Sequence, residues 1–252
     1  MAIKLPSGLT ELQTKLGTLG FEGPRRAAAA LALSIFVVLY LFLSFNAPPG
    51  WGAAFAALGL CYLVAFFSVV AGWFWGRWFA IGLGWSGLMV AGISLVMVGW
   101  APALAIYGLL HALVVVPLSG KSMAALYDLQ AGWRERYKMD ELGVARLRKT
   151  ITRSAASLPS LILWALGPKE GQGMWLSLAA LGLALVGLRG VVRLRTWGLM
   201  AVAGASVAAL GADHLASFSA FSLAGPRLAA VLLASAVLPF VVPAIRYLRT
   251  RA

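Results

Sequence analysis

The sequence predicts an all-α, polytopic transmembrane helical bundle of about eight spans. Three observations predict it. Hydrophobic residues make up 61% of the 252 residues and charged residues only 12%, against roughly 25% charged in an average soluble domain. The apolar residues fall into runs of about membrane-crossing length, separated by turn signals. Lysine and arginine gather at the ends of those runs, as expected of loops on the inner side of a membrane. A net charge of +13 distributed in this way argues topology, and no nucleic-acid partner is expected.

In chain order, residues 1–26 form an amphipathic segment. Leu9, Leu12, Leu16 and Leu19 share one face and Glu11 and Lys15 lie on others, which suits a helix in the membrane interface or against the protein's own inner face. The segment is too polar for a signal peptide, so the run after it is read as a retained span. Residues 27–118 form a first four-span half. Span one, Ala27 to Phe45, ends at Pro48-Pro49-Gly50. Span two, Trp51 to Trp73, ends at the basic turn around Arg77. Span three covers Phe79 to Val98 and span four Ala103 to Leu118. Residues 119–154 form a basic cytoplasmic loop, and residues 155–252 a second four-span half. Its first span, Ala155 to Leu166, holds only about twelve apolar residues and contains Pro159. Spans five and six therefore either both cross or both dip in as a re-entrant hairpin, leaving six crossings. Spans six to eight cover Met174 to Leu188, Trp197 to Ala212 and Leu228 to Ile245.

Eight crossings with both termini in the cytoplasm place 19 of the 21 basic residues inside, leaving Lys169 and Arg227 outside. That bias predicts an inner (plasma) membrane protein. Short matches between the halves point to duplication of a four-span unit. Ala56-Ala57-Leu58-Gly59-Leu60 recurs as Ala179 to Leu183, and Val115-Val116-Pro117 recurs as Val241-Val242-Pro243. An even number of spans per unit makes these parallel repeats.

Residues with chemistry are few. No Asp, Glu, Lys or Arg lies in the middle of a span, which disfavours a proton- or sodium-coupled transporter. His111, halfway along span four, is the single candidate cofactor ligand, for a haem or metal; its alternative role is a hydrogen bond to a neighbouring helix. The cofactor is otherwise unknown, and no metal site is expected, because Asp213-His214 falls short of a ligand set. The lone Cys61 precludes an internal disulfide. Gly84-Trp85-Ser86-Gly87 resembles the Gly-x-Ser-Gly motif of rhomboid intramembrane proteases over four residues. The histidine pair and asparagine of a rhomboid oxyanion site are absent, so close helix packing is the expected role. The tryptophans, mostly near span ends, read as an interfacial belt.

In the central loop, Leu142, Val144, Leu147 and Ile151 mark one face of a helix and Arg146, Lys149 and Arg153 another, after the charged run Arg134, Arg136, Lys138. A basic amphipathic helix of this kind docks a partner or anionic lipid. The function expected is that of a non-enzymatic membrane subunit or scaffold of a larger complex. Its partners would be membrane lipids and other membrane or cytoplasmic subunits. The alternatives are a permease for lipid or another apolar substrate, driven by a separate ATPase, and a membrane enzyme or cofactor carrier using His111.

Overall fold

The computed structural model describes residues 22–128, 131–168, 173–215 and 220–249, and every regular element among them is a helix. The leucine stripe of the amino-terminal segment lies outside the described residues. The ten helices are α1 (Glu22–Asn46), α2 (Gly52–Val70), α3 (Gly76–Val98), α4 (Pro102–Leu118), α5 (Lys121–Asp128), α6 (Ala131–Tyr137), α7 (Glu141–Leu166), α8 (Gly173–Val192), α9 (Thr196–Leu215) and α10 (Ala220–Arg249).

Turn chemistry sets their ends. Gly50 and Gly72 hold φ of 87° and 70° in the α1–α2 and α2–α3 turns, a backbone that side chains with a Cβ rarely adopt. Pro102 occupies the first turn of α4, where a missing N–H costs nothing. The Asp140 carboxylate accepts the Gly143 N–H at 2.7 Å and caps α7, satisfying one of the donors that a helix start leaves open.

Among the described residues four helices are long and apolar enough to cross a membrane: α1, α2, α3 and the Met174–Val192 part of α8. They mark the chain as a membrane protein. The 17-residue α4 reaches that length only together with α5, across a bend of 71°. In α9 and α10 the apolar stretches are the shorter Thr196–Gly211 and Pro226–Val241. Large apolar side chains such as Val38, Phe42, Phe67, Val116 and Val207 point outward over much of their surface, as hydrocarbon-facing residues must.

The helices form two rings of four. In the first, α1 and α3 each pack against both α2 and α4; in the second, α7 and α9 each pack against both α8 and α10. The rings meet where α7 lies on α3 and α2. Helix α7 departs most from the sequence reading. The amphipathic part of the loop and the short fifth span are one continuous helix of 26 residues, about 39 Å long at 1.5 Å per residue. The boundary at 154/155 falls inside it. Thr152-Arg153-Ser154 looks like a break in an apolar run, yet none of these residues stops a helix. Thr150, Ile151 and every residue from Ser154 to Ile162 are buried, so this half-polar helix is more fully covered than the apolar helices α1 to α4.

Glycines on α3 permit the packing. A Cβ at Gly82 would lie 2.4 Å from the Thr152 carbonyl oxygen of α7, and one at Gly84 2.5 Å from Val115 Cγ2 of α4. At Gly87 it would lie 2.0 Å from His111 Cδ2. The Gly-Trp-Ser-Gly run thus seats neighbouring helices, as small residues do in lipid. Gly92 on the same helix faces open space. Gly87→Ala should therefore lower stability by about 1–3 kcal/mol through overpacking. Gly92→Ala should raise it by up to about 1 kcal/mol through helix propensity. Thermal unfolding of the two variants in one detergent, compared with wild type, checks the contrast.

Candidate functional site

Charge and polar contacts concentrate at the end of the bundle where α1 and α3 begin and α2 and α4 finish. Each finishing helix leaves carbonyls with no intrahelical donor, and arginines supply the donors. Arg25 Nε donates to the Pro117 carbonyl at 2.9 Å and its Nη2 to that of Ser119. Arg77 Nε reaches the Leu118 carbonyl at 2.8 Å. Arg26 donates to the Val70 carbonyl at the end of α2, and the Tyr127 hydroxyl donates to Val69 at 2.9 Å. Cations at helix carboxyl ends also suit the helix dipole.

Arg77 does more than cap. Its Nη1 lies 3.0 Å from both carboxylate oxygens of Asp128 on α5, and the Trp78 indole N–H donates to Asp128 Oδ1 at 2.9 Å. Arg77, Trp78 and Asp128 are all buried. Burial pushes the Asp128 carboxyl up from its ordinary value, and Arg77 and Trp78 pull it back only in part. The pair therefore fixes where α5 sits more than it adds stability. By sequence Arg77 is a turn charge and Asp128 carries no signal, for no local pattern links residues 51 positions apart.

Helix α5, helix α6 and the first half of α7 form a basic platform on this end. It is fastened by Trp133, which stacks on Phe74 with ring centroids 4.3 Å apart, and by the buried Val144, Leu147 and Ile151. The apolar stripe read along the loop is thus covered by the protein itself, apart from the exposed Leu142. Arg136, Lys138 and Lys149 are exposed on the platform and Arg146 is half-buried. Arg134 Nε is buried without a hydrogen-bond partner.

Arg153 has a different place. Its Nη1 donates to the Ser235 carbonyl of α10 at 2.5 Å, and the Thr150 hydroxyl donates to the adjacent Ala236 carbonyl at 2.6 Å. Pro239, inside α10, has no N–H to give the carbonyl four residues earlier, which is that of Ser235. Arg153 supplies that donor, so its guanidinium is engaged within the bundle.

His111 lies in the first ring, fully buried. Nδ1 is 2.8 Å from the Tyr107 carbonyl, and Nε2 is 2.8 Å from the Tyr62 hydroxyl. A carbonyl only accepts, so Nδ1 carries the proton and Nε2 accepts from Tyr62. Phe36 and Tyr107 enclose the ring with centroids 4.0 and 4.3 Å away. Both nitrogens are engaged, so ligation of a haem or metal would displace one of these bonds. No cluster of three metal-ligating side chains occurs among the described residues. Ser86 Oγ is buried without a partner, and the histidine is committed to Tyr62, so the Gly-Trp-Ser-Gly run holds no Ser–His pair. The side chains of Asp213 and His214 lie outside the described residues.

The fold and its polar end define a helical membrane protein with a built basic platform on one end of the bundle. Comparison of the chain with protein-family models, curated proteins and solved structures found no match, so function is argued from this geometry.

Two outcomes follow. Arg77→Leu, which leaves Asp128 buried alone, should cost about 3–5 kcal/mol, and Arg77→Leu with Asp128→Leu should recover much of it; denaturation of the single and double variants measures the difference. Tyr62→Phe strips His111 Nε2 of its donor and should cost about 1–3 kcal/mol. His111→Asn should be milder if Asn can pair with Tyr62. Thermal melts rank the two, and a visible absorption band lost in His111→Asn would show a cofactor role instead.

Proposed function

We propose that the chain is a non-enzymatic membrane subunit or scaffold whose basic platform meets a partner subunit or anionic lipid at the cytoplasmic surface of the inner membrane. The observation that carries this reading is the division of labour among the platform's cations. Its apolar stripe is spent on docking to the bundle, while Arg136, Lys138 and Lys149 remain exposed. Among the described residues no hydrogen bond or ion pair engages them, the Arg136 guanidinium lying only over the neighbouring Tyr137 ring at 5.8 Å, and a row of outward cations beside apolar helices suits an anionic surface.

The same reading includes eight crossings with both termini inside. Helix α7 supports the fifth. Near its start it shares a cavity lining with α5 and with Arg134 of α6 in the platform, and at its end Gly167 approaches Trp51 while Pro168 approaches Gly50 in the α1–α2 turn. A helix that passes from the basic end to the opposite turn favours the crossing reading of span five over the hairpin. On this reading α8 returns and brings Arg189, Arg193 and Arg195 back to the basic side. The equal connectivity of the two rings, with α1 and α7 both starting at that end, supports descent from a duplicated four-span unit.

Replacing Arg136, Lys138 and Lys149 together by glutamine should weaken association with anionic vesicles, or with a co-purifying subunit, by up to about 3 kcal/mol if the effects add. Membrane insertion should survive, because other inner loops keep their charge. Co-sedimentation with vesicles and native co-purification read the first effect. Cysteine at position 138 should resist labelling by an impermeant thiol reagent in intact cells; labelling there would invert the topology.

A further inference from the structure

Between α5 and α7 the platform holds a cavity of about 310 Å³. Lys121, Ala124, Ala125 and Asp128 line it from α5, at positions i, i+3, i+4 and i+7, and Glu141, Val144, Ala145 and Arg148 line it from α7 with the same spacing. One face of each helix therefore looks into the space, and the alanines are what keep it open. Arg134 of α6 completes the lining.

The charges do not cancel. Asp128 is committed to Arg77 at 3.0 Å. Arg148 also acts on Asp128 from a distance, yet with Arg77 paired to Asp128 three cations, Lys121, Arg134 and Arg148, are set against the single further carboxylate of Glu141, and no ion pair within 4.0 Å joins these four among the described residues. Arg134 Nε is shut away from solvent without a hydrogen-bond partner. A buried guanidinium N–H left unpaired is costly, and an acceptor in the cavity would remove that cost. Arginines are also the side chains best shaped for the oxygens of a phosphate.

We propose that this cavity binds one phosphate group, held by Arg134, Arg148 and Lys121, either as the headgroup of an anionic lipid or as free phosphate. The proposal rests on the reading of the platform as a contact surface and gives that surface one defined site. Arg148 and Lys121 are ligands that the periodicity of the loop did not single out. Glu141 sits in the first turn of α7 and limits the site to a single anion.

The test titrates the detergent-purified full chain with dihexanoyl phosphatidylglycerol and, separately, with inorganic phosphate, by calorimetry. Saturable binding of one equivalent is expected. Arg134→Gln with Arg148→Gln should weaken it at least about tenfold, the loss of roughly one charge-assisted hydrogen bond. Ala145→Leu, which fills the space and removes no charge, should weaken it as well and keeps the test open if the arginine variant fails to fold. The pair Arg189→Gln with Arg195→Gln, exposed cations outside both the cavity and the outward row of the platform, should leave it unchanged. Tighter binding of the lipid identifies a headgroup; equal or tighter binding of inorganic phosphate identifies the free ion. The proposal is overturned if neither titrant saturates, or if the outer pair weakens binding as much as the cavity pair. Should wild-type protein bind anionic vesicles while neither titrant saturates, the contact surface stands and the phosphate site falls.

Discussion

The need to satisfy backbone carbonyls where water is scarce shapes this molecule more than any other constraint. A helix that ends near hydrocarbon, or is interrupted by proline, leaves carbonyls without donors, and each costs several kcal/mol in lipid. Here arginines supply them. Arg25 and Arg77 serve the end of α4, Arg26 the end of α2, and Arg153 the carbonyl that Pro239 strands in α10. Each of these bonds ties the start or the middle of one helix to another helix, so satisfying the backbone also fixes which helices are neighbours. The ring of α1 to α4 is closed at its basic end by three such arginines. The joint between α7 and α10 uses a fourth, with Thr150 beside it.

The helical class, the first four helices and their turns were legible because period, length and turn residues are local properties. Pro48-Pro49-Gly50 and Gly99-Trp100-Ala101-Pro102 are stops that any chain would obey. The continuity of α7 was not legible for a related reason. Reading in windows of membrane length divides a helix whose first half is charged and whose second half is apolar. The residues at the seam, Thr152 to Ser154, are ordinary helix residues that look like loop only beside hydrocarbon. The burial of Ala155 and Ala156 depends on Gly82 letting α3 come close, which is visible only once the two helices are placed together.

The site was legible in composition and not in pairing. The excess of cations between residues 120 and 154 pointed to the basic platform, but the roles of the individual residues depend on distant partners. Asp128 gains its importance from Arg77, and Arg153 from Pro239. Trp78, Trp133 and Trp164 are buried and so depart from the interfacial belt that their positions near span ends suggested. His111 had the clearest local signal, as the one histidine far inside a span. What the sequence lacked was the pair of acceptor and donor, the Tyr107 carbonyl and the Tyr62 hydroxyl, that occupies both of its nitrogens.

The arginines bound to carbonyls bear on the topology argument itself. A positive-inside count treats every cation alike, yet Arg25, Arg26, Arg77 and Arg153 are explained by internal hydrogen bonds without reference to a membrane potential or an anionic leaflet. Setting those four aside still leaves fifteen basic residues on the predicted inner side against Lys169 and Arg227, so the bias does not rest on them. The two roles are also physically compatible. A guanidinium at a helix end near the interface keeps its stem in an apolar setting and its head at the polar boundary. It can orient the chain during insertion and then serve the carbonyls that folding exposes. In this protein the residues that set the direction of the helices and those that hold them together are, in part, the same ones.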